Sequence, residues 1–149
     1  MNKRTFILIT GIFAISLTLL AVFFTLTSKE SPAIIKGPEI SISQDLIELG
    51  EIPINQKSTS VVEIKNEGDG ALEINKITTS CSCTTATFID TDGSELITFF
   101  PGESHQLEIV FDPQFHDDQP LGKVTREVYI KSNDPENSEI TIRLQGVII

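Results

Sequence analysis

Tryptophan is absent from this chain, tyrosine and methionine occur once each, and cysteine occurs only at Cys81 and Cys83. Two cysteines one residue apart cannot be the bridge that joins the sheets of an antibody domain. The tryptophan that packs on such a bridge is missing too, so an antibody-type domain is excluded. There is no glycine-rich phosphate loop and no His-Glu-x-x-His pair. Basic residues are scarce beyond the first turn of sequence. Residues 29–149 hold all 21 acidic residues but nine of the 11 basic ones, a net charge of −12. So acidic a surface repels phosphates and anionic headgroups, which argues against nucleic acid as a partner and reads as a solvated, soluble face.

What is present begins with one long greasy run. Residues 5–28 contain no charged side chain. As a helix they would extend about 36 Å, and a bilayer core needs roughly 20 such residues. The hydroxyls of Thr10, Ser16, Thr18 and Thr25 can bond back to helix carbonyls. Lys3 and Arg4 precede the run, which places residues 1–4 in the cytoplasm and sends the remainder across the membrane. The run exceeds a cleavable signal's apolar core of about 7–15 residues, and Thr25-Leu26-Thr27-Ser28 is a poor cleavage site. An uncleaved signal-anchor over 5–28 is therefore expected, with a single pass through the inner membrane. Either fate of the segment exports the rest to the periplasm or cell exterior. Residues 29–39, with two prolines and a glycine, read as a linker.

From residue 40 to 149 the hydrophobic period is two. Val62 and Ile64 alternate, then Leu72 and Ile74, with Ile77 out of phase as at a bulge. Leu107, Ile109 and Phe111 share a face, as do Val124, Val128 and Ile130, and then Ile140, Ile142 and Leu144. Glu67-Gly68-Asp69-Gly70, Asp92-Gly93, Pro101-Gly102 and Asn133-Asp134-Pro135 are turn signals. An early run, Ser41 to Ile52, holds Ile42, Leu46, Leu49 and Ile52. About seven short strands, with turns every 8–12 residues, predict an all-β, immunoglobulin-like antiparallel sandwich with negligible helix.

The order of the motifs resembles a known group. Leu49-Gly50-Glu51-Ile52, Ile64-Lys65-Asn66-Glu67-Gly68 and Leu72-Glu73-Ile74 come first. Ser80-Cys81-Ser82-Cys83-Thr84, Pro101-Gly102-Glu103 and Phe111-Asp112-Pro113 follow. Ser132-Asn133-Asp134-Pro135 and Leu144-Gln145-Gly146-Val147 close the series. From about Leu46 onward the chain is similar to the DUF1573 family, exported bacterial domains related in fold to ASPM/SPD-2/Hydin modules. Ser82 stands where that family usually has glycine. The resemblance implies a sandwich and an extracytoplasmic address, and no established activity.

Cys81 and Cys83 are the candidate site. In an extended strand they would lie about 6.6 Å apart on one face, at the outer limit for a disulfide. A bent backbone permits the bridge, and export permits oxidation. Two adjacent thiolates also suit Cu(I), whereas zinc needs about four ligands and only His105 and His116 offer nitrogen. Buried structural cysteine, redox pair and metal pair all remain open, and no cofactor is assigned. Gly102-Glu103-Ser104-His105 lacks the strand-to-helix elbow a serine nucleophile requires, so Ser104 and His105 read as the start of a strand. In Asp90-Thr91-Asp92-Gly93 the glycine is misplaced for a calcium loop, and the segment reads as a polar hairpin. Asp117-Asp118 reads as solvated loop. No catalytic constellation emerges. The expected function is a non-catalytic interaction or structural module facing an unknown protein partner in the cell envelope. The alternative is thiol-redox or Cu(I) chemistry at the cysteine pair.

Overall fold

The computed structural model describes residues 36–89, 91, 97–115 and 120–149. The expected n-region, membrane segment and most of the linker lie outside these residues, as do Asp90, Asp92, Gly93, His116, Asp117 and Asp118.

Nine strands are present among the described residues: β1 (Ile40–Ile42), β2 (Leu46–Ile52), β3 (Ser58–Asn66), β4 (Leu72–Thr79), β5 (Thr84–Phe88), β6 (Ile97–Phe99), β7 (Ser104–Phe111), β8 (Gly122–Ser132) and β9 (Glu139–Ile148). They form two sheets, ordered β1-β3-β7-β5 and β2-β9-β8-β4-β6. No helix occurs among them.

Alternation places the core where the pattern indicated. Val62, Ile64, Leu107 and Ile109 of the first sheet are fully buried, as are Val128, Ile130 and Ile142 of the second. These side chains, with Leu72, Ile74, Phe88, Phe99 and Leu144, make one continuous cluster. Each such side chain contributes roughly 1.5–3 kcal/mol on leaving water.

Two expectations need correction. The run from residue 41 to 52 is not one strand. It pairs antiparallel with β3 at Ile40–Ile42, turns through Ser43–Asp45, and then joins the other sheet parallel to β9. The sandwich is therefore not wholly antiparallel. The sheet switch divides that run into β1 and β2, and the described residues hold nine strands where about seven are expected. Within β2 the register shifts between Glu48 and Gly50, where Gly50 takes φ +68°. That extra residue puts Ile47 and Ile52 inside and leaves Leu46 exposed. A second shift, between Ile74 and Lys76, is the phase break anticipated near Ile77.

One end of the sandwich is tied by polar side chains. Asn66, fully buried, donates to the carbonyls of Gly70 (2.7 Å) and Phe99 (3.1 Å) and accepts from the Gly68 amide (3.0 Å). Asp69 accepts from the amides of Lys36 (2.9 Å) and Gly37 (2.8 Å), holding the segment before β1 against the β3–β4 turn. The opposite end, where β2, β7 and β9 finish and β5 and β8 begin, carries the cysteines.

Candidate functional site

Cys81 and Cys83 are joined by a disulfide. The Ser80–Cys83 segment is a turn between β4 and β5 and not an extended strand. The Thr84 amide donates to the Cys81 carbonyl at 3.0 Å, and the Cα atoms of the two cysteines approach to 5.1 Å. This bend removes the geometric objection that an extended backbone raises. Thr79 Oγ1 also donates to the Cys81 carbonyl, and the Cys83 amide lies 3.1 Å from Cys81 Sγ.

The bridge closes the end of the core. Cys83 packs with Ile52, Phe111, Val124 and Ile148, and Cys81 lies partly exposed beside them. The Cys83 carbonyl accepts the Asp112 amide at 2.8 Å, which anchors the turn to the end of β7. Asp112 is itself held by Lys57, whose Nζ lies 3.0 Å from its carboxylate. That hydrogen bond keeps the Asp112 carboxyl below the usual carboxylate range.

A third residue completes the site. On β8, Val124, Val128 and Ile130 face inward, and Arg126 occupies the same phase between them. Its Nε lies 3.1 Å from Cys83 Sγ, its guanidinium carbon sits 5.6 Å from the centre of the Phe111 ring, and its Nη1 donates to the Thr125 carbonyl. Arg126 escaped attention in the sequence because the flanking valines define the stripe. A cation at an inward position was the signal that could have singled it out.

His105 does not join the cysteines. It stands near the start of β7, opposite Ile64, whereas Phe111 at the other end of β7 adjoins the bridge. Six residues of strand separate them by roughly 20 Å. The His105 ring packs edge-on against Phe99 at 4.8 Å, and its Nε2 lies 3.0 Å from Glu103. The Phe100 amide, and then His105, lower the Glu103 carboxyl. Ser104 is exposed and begins β7, as a strand-starting residue would. Among the described residues no three His, Cys, Asp or Glu side chains gather as a metal site. On the outer face of β8 and β9, Tyr129 donates to Glu127 at 2.6 Å and Arg143 pairs with the same carboxylate. The Tyr129 hydroxyl, then Arg143, hold Glu127 low, and Glu127 in turn raises Tyr129. This is a surface charge network.

Solved structures share the fold. A protein of unknown function from Porphyromonas gingivalis W83 superposes with a TM-score of 0.64 at 22% identity, covering 80% of this chain and 51% of that one. The Vibrio cholerae VesB protease matches at 0.56 and 19% identity, over 72% of this chain and 31% of VesB. The ASH / PapD-like domain 7 of human CEP192 matches at 0.50 and 14% identity, over 83% of this chain and 92% of that domain. The chain thus spans about half of the Porphyromonas protein and a third of VesB. No curated protein matches it significantly. The family description "HYDIN/CFA65/VesB-like, Ig-like domain" matches residues 38–147, and with the two-sheet sandwich in view the chain belongs to that family of immunoglobulin-like domains.

Proposed function

We propose that this domain is a non-catalytic interaction module of the DUF1573 type, held outside the cytoplasm by residues 5–28, which binds an extended segment of a partner protein in the cell envelope. The observation that carries the reading is the edge position of β5, which among the described residues is paired on one side alone.

Four strands lie at sheet edges. β1 and β6 have three residues each, and β2 carries Glu48, Glu51 and a bulge, all devices that discourage pairing. β5 has none of them. Its sequence, Thr84-Thr85-Ala86-Thr87-Phe88, contains no charge, proline or glycine, and among the described residues it pairs with β7 alone. The Ile89 amide bonds the Gln106 carbonyl and the Cys83 carbonyl takes the Asp112 amide. Alternation then turns the Ala86 and Phe88 amides away from β7, toward the open side. A partner strand added there gains main-chain hydrogen bonds without deforming the sandwich. The chain's acidity favours a partner segment of neutral or basic character.

The test uses the full chain extracted from membranes, with a photo-crosslinking residue at Thr87. The wild type is expected to crosslink one partner through a contiguous extended peptide. Ala86→Pro removes an outward amide and leaves the β7 ladder intact, so it should abolish that crosslink while the circular-dichroism spectrum persists. An unchanged crosslink in Ala86→Pro, or recovery of no partner together with a measured turnover, would sink the reading.

A further inference from the structure

The turn that carries the disulfide is asymmetric. Cys81 is partly open to solvent, whereas Cys83 is 2% exposed and packs against Phe111 and Val124. A cation approaches the buried sulfur: Arg126 Nε lies 3.1 Å from Cys83 Sγ. Arg126 takes an inward-phase position of β8, partly buried between two valines, over the Phe111 ring and directed at the sulfur. A sulfur inside a disulfide is neutral and gains little from such a cation. A thiolate at the same place gains much more.

We propose that Cys81–Cys83 is a thiol–disulfide exchange site, in which an external dithiol attacks Cys81 and Arg126 receives the departing Cys83 thiolate. In the first step a thiolate of the dithiol forms a bond to Cys81 Sγ. The Cys81–Cys83 bond breaks, and its electron pair moves to Cys83 Sγ beside the Arg126 guanidinium. In the second step the other thiol of the same reductant, deprotonated by solvent, attacks the reductant's own sulfur in the mixed disulfide and releases Cys81 as thiolate. The reductant leaves as a disulfide. The protein has gained two electrons, and two protons complete the dithiol. The substrate class is a vicinal or closely spaced dithiol, small or borne by a protein. Asp112, whose amide bonds the Cys83 carbonyl, directs its charge to Lys57 and the Gln114 amide. Exchange rate rises as the leaving thiolate is stabilised, which gives Arg126 a role as positioning residue separate from packing. The inference does not rest on strand pairing at β5.

The experiment incubates the oxidised full chain in detergent with dithiothreitol under native conditions, quenches with an alkylating reagent and follows the masses. Wild type is expected to become doubly alkylated in a single exponential phase, with a measurable equilibrium against a dithiol redox buffer. Arg126→Gln should slow reduction by roughly five- to tenfold and shift that equilibrium toward the disulfide. Arg126→Lys, which keeps the charge, should restore most of the rate. Unchanged circular dichroism in both variants confirms that they remain folded. A bridge reduced only after denaturation overturns the proposal. So does equal speed for wild type and Arg126→Gln, or an Arg126→Lys protein as slow as Arg126→Gln.

Discussion

The carboxylate of Asp134, in the connection between β8 and β9, accepts the Ile40 amide at 2.8 Å across 94 residues of sequence. Its second oxygen takes the amides of Glu136 (2.8 Å) and Asn137 (3.0 Å), and the residue is 2% exposed. One side chain therefore shapes its own turn and pins β1, the first strand of the opposite sheet. Asp134→Ala leaves these donors without an acceptor, the Ile40 amide in a buried setting. Loss of about 3 kcal/mol is expected from urea unfolding of the full chain. Hydrogen exchange should locate the earliest opening at Ile40–Ile42.

The same contact sets an acid limit. Burial acts to raise the Asp134 carboxyl, but the amides of Ile40, Asn137 and Glu136 outweigh it and hold the group below its ordinary 3.8. A carboxyl depressed on folding adds stability at pH values above its unfolded pKa. That stability is lost as the pH falls through the lower, folded one. The urea midpoint of the wild type should hardly respond to this group above about pH 5 and should decline below about pH 4. Asp134→Asn, less stable at neutral pH, should show a shallower acid decline. Parallel curves for the two proteins would remove Asp134 from the account.

Asn66 presents the opposite sign. Its Nδ2 faces two carbonyl oxygens, of Gly70 and Phe99, and its Oδ1 faces two amides, of Gly68 and Glu39. Only an amide offers donors on one side and an acceptor on the other. Asn66→Asp, identical in shape, sets a carboxylate oxygen against both carbonyls in a fully buried place. The expected cost is about 3 kcal/mol or more in urea unfolding, and it should shrink at acid pH as the new carboxyl is protonated.

The core and these clamps were legible to different degrees. Period-two alternation exposed the inward residues of β3, β4, β7, β8 and β9, because each of those strands buries one face. It failed in β2, where the bulge at Gly50 shifts the phase and makes Ile47 rather than Leu46 a core residue. The parallel pairing of β2 with β9 was hidden for a different reason: a strand that changes sheets has the same local pattern as one that does not. Asn66 and Asp134 sat within motifs visible in the sequence, yet their work is long-range, and turn chemistry alone suggests only local bonds. The cysteine pair is legible as a candidate, but its spacing leaves open whether the backbone there is extended or bent; Ser80–Cys83 bends, and the bend is what brings the bridge and Arg126 together.

Gly68 argues the last case, since its constraint is space and not backbone angle. A Cβ built at Gly68 overlaps the Gly37 carbonyl oxygen and lies 2.6 Å from the Glu39 amide nitrogen. Those atoms belong to the segment that accepts or donates at Asp69, Gly70 and Glu67. Gly68→Ala must push that segment away, since the obstacle is main chain and cannot rotate aside. The Asp69 and Gly70 amides then lose the Gly37 carbonyl, and the Glu67 amide loses that of Glu39. A loss of about 1–3 kcal/mol is expected. The telling readout is local: amide exchange at Glu67, Asp69 and Gly70 should accelerate more than at Ile109 or Ile130. Uniform acceleration would mean that the contact stabilises the whole sandwich instead of fastening the segment that enters it.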